Sequence, residues 1–171
     1  MGEVAKTVCS LKGPSYVHGI IPEALVKYER DGTYATLNAA NQFVPDQDQY
    51  GTTTVVKDMH TRKKIMAEEV FKGGPGSGFI GLPGGYGTME ELFEVITWNQ
   101  LGIHKNGICL FNVEGYWDGI IQWRDKAVEQ GFVKTPNKDI VVTATSAEGV
   151  IEALQKYQVS EGTFKLQWGT Q

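Results

Sequence analysis

The sequence predicts an α/β protein built on a doubly wound parallel sheet, and three observations predict it. From Phe79 onward, short apolar runs alternate with longer amphipathic stretches. The short runs are continuously apolar, as strands buried on both faces are, and not alternately apolar and polar. The longer stretches repeat their apolar residues at helical spacing, as in Met89/Leu92/Phe93/Ile96, Ile120/Trp123/Ala127 and Val150/Leu154/Tyr157. Strands separated by helices form a parallel sheet, and such a sheet takes its ligands beyond the carboxyl ends of its strands.

The elements follow in order. Gly2–Lys12 reads as a helix with Val4, Val8 and Leu11 on one stripe, stopped by Gly13-Pro14. Residues 16–21 are brief and apolar and read as a strand ended by Pro22. Residues 23–51 are polar and turn-rich, too long for an ordinary connection, and are expected to be a functional or disordered loop. A strand at Thr52–Val56 leads into a helix over Met59–Phe71, then a glycine-rich loop at 73–78 that lacks the GxGxxG spacing. Strands are expected at 79–82, 108–113 and 140–143, each followed by a helix, at 88–101, 119–130 and 147–157. Residues 158–171 form a tail, and the whole chain of 171 residues reads as one domain.

Composition excludes several functions. Sixteen basic residues are scattered among 20 acidic ones for a net charge of -4, which leaves no basic face for nucleic acid. The two cysteines, Cys9 and Cys109, are far apart and outside any metal-ligand spacing, so both are expected to be buried and reduced, and no metal is expected. No apolar run approaches the roughly 18 residues of a membrane span, so a cytoplasmic protein without a membrane partner is expected.

Two segments carry chemistry. In Pro83-Gly84-Gly85-Tyr86-Gly87-Thr88 the glycines permit positive φ and close backbone approach, so that N–H groups and the dipole of a helix starting at Thr88 converge on an anion such as phosphate. A plain strand-to-helix turn explains the same residues. Thr88-Met89-Glu90-Glu91 fits a capping box, with Thr88 at the N-cap and Glu91 three residues on. The alternative has the Thr88 hydroxyl on phosphate and a carboxylate beside a bound sugar. The second segment is Asp58-Met59-His60-Thr61-Arg62-Lys63-Lys64. Cations at a helix start oppose the dipole, so the segment is either a solvated helix turn or faces an anionic ligand. His60 is expected in the core.

Together these residues resemble the LOG family of cytokinin riboside 5'-monophosphate phosphoribohydrolases, long labelled lysine decarboxylases. The family signature PGGxGTxxE is matched by Pro83, Gly84, Gly85, Gly87, Thr88 and Glu91, and its MHxRK element by Met59, His60, Arg62 and Lys63. Residues 94–104 and 112–118 are also similar to the family. The resemblance implies a Rossmann-like fold and hydrolysis of an N6-modified AMP to free base and ribose 5-phosphate, with no cofactor. It implies Arg62 and Glu91 as the catalytic pair. Gly84, Gly85, Gly87 and Thr88 would cradle the 5'-phosphate, and Lys63, Met59, Glu29 and Thr97 would complete the substrate site. A homodimer is implied through the helices flanking that site.

The sequence departs from the family in two places. Met1-Gly2 matches only the last two residues of a GGGxxGLMG loop that family domains place after an opening strand and helix, so the first part of the sheet is expected to be missing. Residues 31–51 and 73–78 are longer than in compact plant and bacterial members and resemble the fungal branch. Two other readings stay open: a broader AMP or purine nucleoside-monophosphate nucleosidase, and a nucleotide-binding protein without turnover. A pyridoxal phosphate decarboxylase needs a buried lysine for its Schiff base, and the lysines of the motif sit at a helix start.

Overall fold

The structure, a computed structural model, describes residues 2–26, 36–38 and 41–168. The chain divides into two compact units, Met1–Met66 and Ala67–Gln171. The first contains helix α1 (Gly2–Lys12), strand β1 (His18–Pro22), helix α2 (Glu23–Val26), strands β2 (Thr36–Leu37) and β3 (Phe43–Val44), helix α3 (Gln47–Tyr50) and strand β4 (Thr52–Val56). Helix α4 (Met59–Phe71) begins in this unit and ends in the next. β1 and β4 pair in parallel, from His18 opposite Thr52 to Pro22 opposite Val56. Pro22 lacks a donor N–H and is tolerated because, among the described residues, β1 is paired on one side only.

α1 forms over the expected residues, but its expected apolar stripe is not what it buries. Val4 is 56% and Leu11 74% exposed, whereas Cys9 is buried. α1 packs against α3, where Lys6 Nζ lies 5.3 Å from the centre of the Tyr50 ring. Proximity of α3, and not the apolar period of α1, chooses the covered face.

The segment expected to be a loop or disordered holds local structure in its described parts. Residues 36–38 and 41–44 form an antiparallel hairpin, Thr36 opposite Val44. Asn41 takes the left-handed conformation there (φ 61), which Asn tolerates better than most residues. Asp46 caps α3 by accepting a hydrogen bond from the Asp48 N–H at 3.0 Å. The polar residues that suggested a loop are partly caps and turn formers.

The second unit holds β5 (Gly78–Gly81), α5 (Tyr86–Gln100), β6 (Gly107–Phe111), α6 (Asp118–Glu129), β7 (Val141–Ala144) and α7 (Ala147–Gln155). Its three strands are parallel in the order β5-β6-β7. The central strand explains the continuous apolar run, because successive side chains serve opposite faces. Ile108 and Leu110 join Leu92, Val95, Trp117, Ile140 and Val141 on one side. Cys109, on the other side, packs with Val150 and Leu154 of α7. Helices therefore cover both faces, which is the doubly wound α/β arrangement expected. Cys9 and Cys109 are both buried and reduced, also as expected.

The tail is docked over its described residues. Phe164 N–H donates to Gln100 O at 2.8 Å and Trp168 Nε1 to Leu101 O at 3.2 Å, so the tail covers the last turn of α5. At this turn Gly102 has φ 77, and a Cβ there would lie 2.3 Å from Phe164 O. Only glycine satisfies both the helix stop and the passing backbone.

Candidate functional site

Within the second unit, the site grows from the carboxyl end of β5. The chain leaves the sheet at Gly81, turns through Leu82 to Gly85 and enters α5 two residues earlier than expected, with Gly85 and not Thr88 at the N-cap. The predicted capping box therefore does not form at Thr88, which sits in the first helical turn. Gly85 brings no side chain to the helix start, so the first amides are not capped by one and are suited to an external anion.

The three glycines of the motif serve different purposes, and positive φ is not among them: none of Gly84, Gly85 and Gly87 is left-handed. Gly84 is required by packing, because a Cβ on it would meet Thr88 Oγ1 at 2.2 Å and Thr88 Cβ at 2.9 Å. A Cβ on Gly85 or Gly87 would meet nothing within 4 Å. Each of those two positions leaves its backbone open to the approach of a ligand. Glu91 lies three residues after Thr88 and four after Gly87, hence on the same side of α5 and about 5–6 Å away between Cβ positions. It is half-buried.

The segment after β6 braces this loop. Tyr116 donates its hydroxyl to Gly84 O at 2.5 Å, and Trp117, buried to 2% exposure, donates Nε1–H to Gly81 O at 3.1 Å. Asn112 orders the turn that presents both rings: its Oδ1 accepts from Trp117 N–H at 2.7 Å and its Nδ2 donates to Asp118 Oδ1 at 2.8 Å. The rings meet edge-on with centroids 5.0 Å apart. Sequence reasoning placed 112–118 among the family-like stretches without a role for Tyr116 or Trp117. Two aromatic residues with donor groups just past a strand end were the available signal.

In the first unit, the basic cluster lies at the start of α4. Asp58 caps the helix, accepting from Thr61 N–H and Thr61 Oγ1, both at 2.8 Å. These bonds, the backbone one foremost, hold its carboxyl below the usual range and offset the unfavourable placement of cations at a helix start. Arg62 is half-buried and donates Nε–H to Ile20 O of β1 at 3.1 Å, which fixes the direction of its guanidinium. Lys63 is half-buried and Met59 exposed. His60 is exposed and so is not the core residue expected. Thr97 lies on α5 about 13 Å along the axis from Thr88, exposed, with its hydroxyl donated to Phe93 O at 2.7 Å. Glu29 lies outside the described residues.

Comparison with known proteins identifies the family. A family model described as "Possible lysine decarboxylase" matches residues 1–154. The chain belongs to the LOG family. A "Bifunctional cytokinin biosynthesis protein" of Fusarium pseudograminearum is 49% identical over 170 residues, which are 98% of this chain and 34% of that protein. Two cytokinin riboside 5'-monophosphate phosphoribohydrolases of Arabidopsis thaliana are 40% identical over 157 residues and 38% over 170. The matches cover 92% and 98% of this chain and 63% and 68% of those proteins. The chain thus spans about a third of the first relative and under two thirds of the second. Among the described residues no lysine is buried, so none has the setting that a decarboxylase Schiff base needs. No helix among the described residues is long and apolar enough to cross a membrane.

Proposed function

We propose that the protein hydrolyses the N-glycosidic bond of cytokinin riboside 5'-monophosphates, that is N6-modified AMP, to the free base and ribose 5-phosphate. The observation that carries this reading is the placement of Glu91 one helical turn after the open Gly87, near the start of α5 that no side chain caps. A phosphate at the helix start and a carboxylate one turn deeper on the same side suit the two ends of a ribose 5-phosphate. In this reading Gly84, Gly85, Gly87 and Thr88 hold the 5'-phosphate. Glu91 faces the anomeric carbon, where it stabilises positive charge as the bond to the base breaks and aligns the incoming water. The water oxygen bonds to the anomeric carbon, and one water proton ends on the base nitrogen. Arg62, steered by Ile20 O, offers charge to the departing base or to phosphate, assisted by Lys63. Met59, Glu29 and Thr97 complete the substrate site, and the reaction uses no cofactor.

The names of the relatives support the substrate class. We take the active form to be a cytoplasmic homodimer. An apolar groove between α5 and α6, with Met89, Phe93, Ile120 and Trp123 among its lining residues, supports that form. Sedimentation of the protein gives its mass in solution, and a monomer at assay concentration with full activity would exclude the dimer.

The test of the reaction is base release from isopentenyl-AMP, from AMP and from isopentenyl adenosine, by the protein and by its Glu91→Gln and Arg62→Ala variants. Release from isopentenyl-AMP that falls by at least 100-fold in each variant supports the reading. Equal release from AMP moves the assignment to the broader nucleosidase. Nucleotide binding with no release from any substrate overturns the catalytic reading.

A further inference from the structure

The hydroxyl of Tyr116 ends on a peptide of the glycine loop, and that geometry has a chemical consequence. Its acceptor is Gly84 O, at 2.5 Å. The Gly84–Gly85 peptide is trans, since no described peptide is cis, and in a planar trans peptide the carbonyl and the N–H point in opposite directions. With the carbonyl of Gly84 held by Tyr116, the N–H of Gly85 is directed away from the Tyr116 ring. Gly85 is the N-cap of α5, and no atom lies within 4 Å of where its Cβ would be.

One further hydrogen bond and one packing contact make this peptide a fixed object. Trp117 holds Gly81 O, the last carbonyl before the turn, and Thr88 packs against the Cα of Gly84 from the helix side. The turn between Gly81 and Gly85 is therefore held at both ends by adjacent residues of one segment. Tyr116 itself is placed by a costly turn: Glu114 and Gly115 are both left-handed, with φ 49 and φ 74. A side chain in that conformation is unfavourable for an L-residue, and the turn keeps it while presenting Tyr116 and Trp117 together.

We propose that Tyr116 is a positioning residue for phosphate recognition, acting through the Gly84–Gly85 peptide. Donation to the carbonyl aims the Gly85 N–H at the 5'-phosphate and polarises the amide, because hydrogen bonds in a chain strengthen one another. Tyr116 touches no reacting atom in this role. The inference rests on the phosphate-cradle reading above, and its test separates the two.

The test compares the protein with its Tyr116→Phe and Gly85→Ala variants. Tyr116→Phe keeps the ring against Trp117 and removes only the hydroxyl. Calorimetric titration with ribose 5-phosphate is expected to show about threefold to tenfold weaker binding for Tyr116→Phe, the loss of one neutral hydrogen bond. Adenosine binding and the urea midpoint are expected to stay as in the parent, because the ring remains and the exposed carbonyl of Gly84 gains water. With isopentenyl-AMP the KM rises by the same factor while kcat holds. Gly85→Ala, which puts a methyl group on the open face, is expected to lose ribose 5-phosphate binding. If Tyr116→Phe binds ribose 5-phosphate as the parent does while Gly85→Ala fails, the role of Tyr116 is overturned and the cradle stands. A Tyr116→Phe variant that loses adenosine and ribose 5-phosphate binding alike has only a structural defect, which also overturns the role. If the parent does not bind ribose 5-phosphate, the cradle reading fails and the inference fails with it.

Discussion

Alanine at Gly84 and alanine at Gly87 should move stability in opposite directions. At Gly84 the new methyl would lie 2.2 Å from Thr88 Oγ1 and 2.9 Å from Thr88 Cβ. Thr88 is β-branched and stiff on its helix, so the loop or the helix start must shift, at about 1–3 kcal/mol for an overpacked site. At Gly87 the methyl enters open space inside the first turn of α5, and replacing helical glycine by alanine gains about 0.5–1 kcal/mol. Urea unfolding followed by tryptophan fluorescence reads this, since Trp98, Trp117, Trp123 and Trp168 all lie in the second unit. Adding Thr88→Ala to Gly84→Ala should recover part of the loss, because the atom at 2.2 Å is then gone. Despite its greater stability, Gly87→Ala should bind ribose 5-phosphate at least tenfold more weakly, as its methyl occupies the face the phosphate approaches. Gly84→Ala unfolding at the parent midpoint, with no coupling to Thr88→Ala, would refute the packing argument. Parent-like binding by Gly87→Ala would refute the open face as the ligand's approach.

Three further outcomes follow from single residues. His104 is buried, donates Nε2–H to Val95 O and accepts Asn106 N–H on Nδ1, which only the neutral ring can do, and burial lowers its pKa. The unfolded chain therefore binds a proton more readily, so stability should fall as pH drops below about 6.5, and His104→Gln should flatten that slope in urea titrations. Gly115→Ala should lower stability by about 1–3 kcal/mol, because its φ is 74 and the new Cβ would sit 2.6 Å from Asp118 Oδ2; an unchanged urea midpoint would count against the turn. Burial raises the Cys109 thiol and leaves it 0% exposed, so a disulfide reagent at pH 8 should react with it only as fast as the protein unfolds, whereas rapid native reaction would contradict the packing of β6.

Much of the fold was legible because it depends on local pattern. The run from Ile108 to Leu110 had to be a strand buried on both faces, and the period of Met89, Leu92, Phe93 and Ile96 had to be helical. Met59–Phe71 and Thr52–Val56 came out with the expected bounds. The errors occurred where a local rule had two solutions. Thr88 with Glu91 satisfied a capping box on paper, but the helix began at Tyr86 because the loop is held from outside it. The glycines suggested positive φ, yet Gly84 is small for the sake of Thr88, a neighbour one turn ahead. His60, expected in the core, is exposed, and so are Val4 and Leu11 of the expected stripe on α1.

The sequence by itself determined the α/β class, the order of the strands and helices from Thr52 onward and the residue types of the motif, because periodicity, helix stops and an uninterrupted PGGxGTxxE are properties of neighbours along the chain. Tertiary structure alone decided which glycine is packed and which is open, that Ile20 O steers Arg62, and that Tyr116 and Trp117 grip the turn between Gly81 and Gly84. The three hydrogen bonds join groups 32 to 42 residues apart in sequence. No local period encodes such a meeting; the packed sheet and the strained turn at Glu114 bring those atoms within hydrogen-bond reach.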